Sequence, residues 1–195
     1  MWRQILPGLR IKLFMTLALG IGYPLLVTGV SQIAFPYRAN GSLIQRADGS
    51  VIGSALIGQN FARPEYFQPR PSAAGNDGYD PTSSSGSNYG PTNKKLVDRV
   101  KASVDKFRKE NPDFTGPIPA DLVTASASGL DPHISPASAR AQAARVAKAR
   151  GIPATAVETM IAQAVESPDF GILGEPRVNV LELNLALDGA YREHR

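Results

Sequence analysis

The sequence predicts an α+β protein, with one N-terminal transmembrane helix followed by a single soluble domain. That domain should hold a β-hairpin, three or so helices and a late strand. Three observations carry this reading. Residues 13–35 form an uncharged run of 23 residues. Two apolar segments flank the pair Asp48-Gly49. Later stretches repeat apolar residues at helical spacing behind recognisable caps.

The uncharged run is bounded by Lys12 and Arg38. As a helix rising about 1.5 Å per residue it spans roughly 34 Å, slightly more than a bilayer's hydrocarbon core. Arg3, Arg10 and Lys12 precede it with no acidic residue, so the N-terminus (1–12) is expected in the cytoplasm and residues 36–195 outside. A cleaved signal peptide is the rival reading. Its apolar region would be shorter, about 7–15 residues, with a small-x-small site after it. The Ser31-Gln32-Ile33-Ala34-Phe35-Pro36 end fits that poorly. Within the run, Ala18, Gly22 and Gly29 fall on one strip at 100° per residue, a surface that lets a partner helix approach closely. Pro24 removes the backbone bond to Gly20 and predicts a kink.

Composition excludes several function classes. The net charge is +4, and without Arg3, Arg10 and Lys12 it is +1, so no basic surface for nucleic acid is implied. There is no cysteine, hence no disulfide, thiolate metal site or cysteine nucleophile. The only histidines are His133 and His194, too few for a histidine-rich metal site.

After the span, Ser42 to Ala47 and Ser50 to Ile57 read as a hairpin whose Asp48-Gly49 turn would be type I′. Gly53 marks a bulge or a close backbone approach. Asn40-Gly41-Ser42 is a glycosylation-type triplet with nothing else to support it. Residues 58–93 are broken by Pro64, Pro69, Pro71, Pro81 and Pro91. They nevertheless hold Phe61, Tyr66, Phe67, Tyr79 and Tyr89, five of the chain's 14 aromatics. Aromatics gain much from burial, so an ordered loop packed on the domain is expected rather than a linker.

Thr92 or Asn93 caps the next helix, with Leu96, Val97, Val100, Val104 and Phe107 on its apolar face and Asn111-Pro112 ending it. A short element follows over residues 120–124. Ser135-Pro136 opens an alanine-rich helix that Gly151 stops, and Pro153 begins another with Val157, Ile161 and Val165 inward. Residues 178–185 read as the late strand that completes the sheet. Arg63, Arg70 and Arg177 stand near prolines and aromatics, where they suit acids on a partner or stay solvated.

Several separate blocks, in order, are similar to one family. They are Gly53-Ser54-Ala55-Leu56-Ile57-Gly58-Gln59-Asn60-Phe61, then Tyr66-Phe67-Gln68-Pro69-Arg70-Pro71-Ser72-Ala73. Next come Ser85-Gly86-Ser87-Asn88-Tyr89-Gly90-Pro91 and Ser128-Gly129-Leu130-Asp131-Pro132-His133-Ile134-Ser135. Arg145 to Gly151 and Gly174 to Leu181 complete the set. Together with the single span, these blocks resemble the KdpC family, a subunit of the Kdp potassium-transporting P-type ATPase, over essentially the whole chain.

The resemblance implies an accessory subunit in the bacterial cytoplasmic membrane, without a cofactor of its own. Its partners would be a channel-like potassium-translocating subunit, an ATP-hydrolysing subunit and a very small membrane peptide, with lipid around the span. Consistent with that division, the sequence has neither a Walker A loop nor an Asp-Lys-Thr-Gly motif. Two mechanisms follow. In one, the outer domain docks on the potassium subunit and holds the assembly together. Phe61, Tyr66, Phe67 and Arg70 of the long loop, with Ala18, Gly22 and Gly29 of the span, are then the contact candidates. In the other, the family acts as a catalytic chaperone that raises the pump's ATP affinity through a Ser-Gly-Gly-Ser-Asn loop. Here that loop reads Ser84-Ser85-Gly86-Ser87-Asn88, with Ser85 in the place of a glycine. Ser85, Gly86, Ser87 and Asn88 would hold nucleotide together with the pump subunit, using N–H groups and hydroxyls as a phosphate cradle. The same residues also make a capped turn before a helix, and the charge asymmetry puts them across the membrane from ATP.

A third reading takes Ser126, Ser128, Asp131 and His133 as hydrolase residue types. They crowd into one short stretch around Gly129 and Pro132 without a Gly-x-Ser-x-Gly elbow, which reads as an internally bonded turn.

Overall fold

The computed structural model describes residues 2–191, so His194 lies outside the described residues. The architecture is α+β, and the chain divides into two compact units, Met1–Ser54 and Ala55–Arg195.

In the first unit, helix α1 (Trp2–Leu17), a π turn (Ala18–Gly22) and helix α2 (Tyr23–Ala34) follow one another without a break. Its stretch Arg3–Ala34 is long and apolar enough to cross a membrane by length and composition, and none of that stretch is buried. An apolar helix left bare on every side suits lipid or another membrane helix rather than water. The helix starts well before the uncharged run, so Arg3, Arg10 and Lys12 ride on it. The irregularity expected at Pro24 takes the form of the π turn one step earlier, where the Tyr23 N–H bonds the Ala18 carbonyl. Widening the turn accommodates a proline that has no N–H to give.

Phe35 leaves helical geometry with φ −140°, and α3 (Pro36–Ala39) follows. Strands β1 (Leu43–Gln45) and β2 (Val51–Ser54) form the expected antiparallel hairpin. Its turn is not type I′: only Gly49 takes positive φ (82°), whereas Asp48 does not. Instead the Asp48 carboxylate accepts from the Ser50 N–H at 2.9 Å and hydroxyl at 2.6 Å, which holds a tighter local turn. The register slips between Ile44 and Gln45, opposite residues 51–53, so the bulge falls beside Gly53.

The second unit centres on a three-stranded antiparallel sheet of order β3-β5-β4. These strands are short: β3 (His133–Ile134), β4 (Val165–Glu166) and β5 (Arg177–Asn179). The late strand does not join the hairpin, and it does not run to residue 185. After Asn179 the chain becomes helix α7 (Val180–Tyr191). Val180, Leu183, Asn184 and Leu187 are buried on one face, and the Asn179 side chain caps the start by accepting from the Glu182 N–H at 3.2 Å. Alternating Leu with Glu and Asn looks like a strand. Leucine, alanine and glutamate are strong helix formers, however, and the asparagine cap resolves the ambiguity toward a helix.

Helix α4 (Lys94–Glu110) is capped by Asn93, whose side chain accepts from the Lys95 N–H. Of its expected inward residues Phe107 is buried, Leu96, Val100 and Val104 are half-buried, and Val97 lies exposed. A 3₁₀ turn occupies Ala120–Leu122. Helix α5 (Pro136–Arg150) has the predicted Ser135 cap and a left-handed Gly151 at its end. Helix α6 (Ala154–Gln163) buries Val157 and Ile161, whereas Val165 belongs to β4. Alanine at 139, 143 and 147 lets α5 approach closely, and the core gathers Phe67, Val146, Ile161, Val178 and Leu183 around it.

Candidate functional site

Residues 55–93 contain no helix or strand. They are nonetheless ordered against the domain, by a device that the loop's own sequence does not reveal. Extended backbone carries N–H and C=O groups that must be met once buried. Here polar side chains of α5 and α7 meet them. Asn184 Oδ1 accepts from the Phe67 N–H at 2.8 Å, and Asn184 Nδ2 donates to the Phe67 carbonyl at 2.9 Å. Gln142 does the same for Gln68, accepting at 2.8 Å and donating at 3.1 Å. Each side-chain amide thus imitates the peptide unit of a neighbouring strand. Arg145 extends the row by donating to the Pro64 and Tyr66 carbonyls and to Gln142. Burial pushes its guanidinium below the usual arginine range, an effect that Glu110 partly offsets.

Among the loop aromatics, Phe67 is wholly inside, with 0% exposure, so its ring serves the core of this domain and is not presented to a partner. Phe61 and Tyr66 are half-buried and pack against each other. The Tyr66 hydroxyl donates to Asp188 at 2.9 Å, while Arg63 and Arg150 lie over its ring. Burial and the nearby Asp188 raise the phenol above its ordinary range. Each of the three arginines proposed for external acids has a partner within the chain: Arg63 pairs with Glu65, Arg70 with Asp131, and Arg177 with Glu166 and Asp169.

The loop and the polar turn 126–133 meet closely. The Ser72 hydroxyl donates to the Gly129 carbonyl at 2.6 Å and accepts from the Tyr79 N–H at 2.8 Å. The Tyr79 hydroxyl donates to the Arg70 carbonyl at 2.7 Å, and burial with Asp131 nearby pushes that phenol strongly up. Asp131 accepts from the His133 N–H at 3.0 Å and pairs with Arg70 at 3.0 Å. Burial alone would raise its carboxyl, but the His133 bonds and the Arg70 charge outweigh it, and the group sits below the ordinary carboxylate range. A cleft of about 270 Å³ opens between the loop and α4, lined among others by Asn60, Arg70, Asn76, Tyr79 and Lys106.

Of the loop Ser85, Gly86, Ser87 and Asn88, the first two lie along this same seam, while Ser87 is half-buried and Asn88 is exposed at φ +49°. The Ser85 N–H donates to the Ser128 carbonyl at 2.9 Å, and its hydroxyl donates to the Gly86 carbonyl at 3.1 Å. Gly86 runs so close to residue 127 that a Cβ would stand 2.7 Å from the Ala127 carbonyl oxygen. Gly129, at φ +68°, faces the Ser85 carbonyl in the same way at 2.6 Å. Two backbones therefore touch where only glycine fits. The triad-type residues resolve locally: Ser128 Oγ accepts from the Leu130 N–H, and the His133 ring faces Asp131 at 3.3 Å. Ala18, Gly22 and Gly29 lie on the bare apolar helix, with Gly22 and Gly29 exposed and Ala18 half-buried.

Sequence reasoning missed Gln142, Arg145, Asn184 and Asp188. The available signal was a polar side chain interrupting an apolar helix face, as Asn184 does between Leu183 and Leu187.

Known proteins resemble this chain along almost its whole length. A curated relative from Myxococcus xanthus, named a potassium-transporting ATPase KdpC subunit, is 56% identical over 191 residues, covering 98% of this chain and 90% of that protein. One of the same name from Caulobacter vibrioides is 57% identical, covering 98% and 95%. Another from Rhodospirillum rubrum is 55% identical, covering 98% of each. The family model described as "KdpC: K+-transporting ATPase, c chain" matches residues 5–189, helix and domain together, and the chain belongs to the KdpC family.

Proposed function

We propose that this chain is the single-span accessory subunit of an ATP-driven potassium uptake complex, and that its work is structural. The span packs among other membrane helices through the Ala18, Gly22 and Gly29 strip. The N-terminus stays in the cytoplasm, as Arg3, Arg10 and Lys12 direct, and residues 36–195 lie outside. There the domain docks on the potassium-translocating subunit and steadies the assembly, without chemistry of its own. The observation that carries this reading is that the family match runs through both the apolar helix and the domain, from residue 5 to 189. In the long loop, Phe61, Tyr66 and Arg70 keep part of their surface outward and remain the contact candidates.

The catalytic-chaperone reading asks residues 84–88 to cradle phosphate. The Ser85 N–H is held by the Ser128 carbonyl and Gly86 lies against Ala127, which supports a tightly packed turn there instead. Ser85→Cys separates the two, since the chain has no other thiol. A membrane-impermeant maleimide should label it in intact cells, or in cells whose outer membrane has been opened. Labelling only after the cytoplasmic membrane is breached would move the domain inside and favour the ATP role. The docking mechanism itself is tested by removing residues 36–195, which should dissolve the purified complex; full assembly and transport without them would overturn it.

A further inference from the structure

One apolar patch of the second unit belongs to none of the contacts above. Between β4 and β5 the chain turns through residues 168–176, and Phe170 is 93% exposed, Ile172 82% and Leu173 57%. Phe170 and Ile172 are the two most exposed large apolar side chains of this unit, and the backbone holds them there. Asp169 and Leu173 exchange N–H···O=C bonds of 2.9 Å in both directions. The Gly171 N–H donates to the Pro168 carbonyl, and Phe170 and Gly171 both take positive φ. From β5, Arg177 bonds Glu166 at 2.9 Å and Asp169 at 3.5 Å, which ties the turn to the sheet. A closed turn of this kind presents Phe170 and Ile172 already ordered, so little freedom remains to be lost on binding.

Charge decides between occupants. Glu166, Asp169 and Glu175 flank the tip against the single Arg177, which leaves an acidic collar. A loop that enters an anionic bilayer surface carries lysine and arginine around its apolar residues, and an acidic collar is repelled there. A protein pocket with an apolar floor and a basic rim suits both features. We infer that the Phe170–Gly171–Ile172 tip is a docking knob that inserts into such a pocket on the outer face of a neighbouring membrane subunit of the complex. This inference rests on the reading that the domain docks on a partner outside the membrane, and it names the part that does so.

The test uses the whole complex. Ile172→Cys, the only thiol in the chain, is coupled to a benzophenone maleimide and irradiated, with Val97→Cys on α4 as the exposed control. An adduct of this chain with a membrane subunit, absent from the control, is expected. Phe170→Ser with Ile172→Ser should weaken retention of that subunit at least tenfold, as removal of a central apolar anchor does. Adducts with lipid alone would make the tip a bilayer anchor and overturn the inference. So would adducts with a second copy of this chain, whose hollow at Phe114 and Ala141 has Lys109 and Lys148 beside it. Unchanged retention in the double variant would overturn it as well. If removing residues 36–195 dissolves the complex while the tip variant does not, the knob fails and the docking reading stands. If removal leaves the complex intact, the docking reading itself has failed.

Discussion

Residues 61–80 and residues 168–176 are both irregular, both interrupted by proline and both rich in apolar side chains, yet one is swallowed by the domain and the other is held away from it. The difference lies in where each finds partners for its backbone. The first runs extended, and its N–H and C=O groups are met by Asn184, Gln142 and Arg145 from the helices. Drawing that backbone in brings Phe67 to 0% exposure. The second closes its own bonds between Asp169 and Leu173, so nothing pulls it inward and its side chains remain outside. An irregular segment is thus directed inward or outward by its hydrogen-bond partners at least as much as by its hydrophobicity.

The most severe way to break this contrast is Phe67→Ala. The ring fills the core, so unfolding of the detergent-solubilised chain should show a loss of about 3–5 kcal/mol. A loss below about 1 kcal/mol would mean that the loop is held by its polar contacts alone. Asn184→Ala strands a buried N–H and carbonyl of Phe67, and should destabilise by about 2–3 kcal/mol. Hydrogen exchange should then quicken at residues 64–72 and hold steady in α6. Gly129→Ala forces a Cβ into the Ser85 carbonyl at positive φ, and about 1–3 kcal/mol is expected from the same unfolding measurement.

A subtler effect concerns acid. Folding holds the Asp131 carboxyl below its ordinary value of about 3.9, so its contribution is present above that pH and is lost as pH falls through the folded value. Stability measured below about pH 4 should therefore decline, and Asp131→Asn should flatten that part of the curve. The smallest effect sharpens the contrast from the other side. Phe170→Ser with Ile172→Ser removes nothing that the domain uses, and the unfolding free energy of the isolated chain should stay within about 0.5 kcal/mol of the parent.

Much of the fold was legible because it is written in local signals. The uncharged run marked the long bare helix, Asn93 and Ser135-Pro136 marked helix starts, and Gly151 marked an end. Each depends on the residue itself and its nearest turn. The aromatics of residues 58–93 also signalled an ordered loop. What misled was residues 178–185, where alternation suggested a strand while helix propensity and the Asn179 cap pointed the other way. The two-residue strands β3 and β4 were invisible, since a pair of residues carries no period.

The sequence by itself determined the apolar span, the succession of helices α4 to α6, the absence of cysteine chemistry and the family blocks, all of which are properties of composition and short-range spacing. Only the tertiary structure decided that Asn184 and Gln142 serve as surrogate peptide units, that Gly86 and Gly129 sit where two backbones touch, and that Phe67 turns in while Phe170 turns out. The physical reason is that a hydrogen bond such as Asn184 to Phe67 joins residues 117 positions apart. A contact of that kind depends on how α7 and the loop pack, and no local pattern in either segment records its partner.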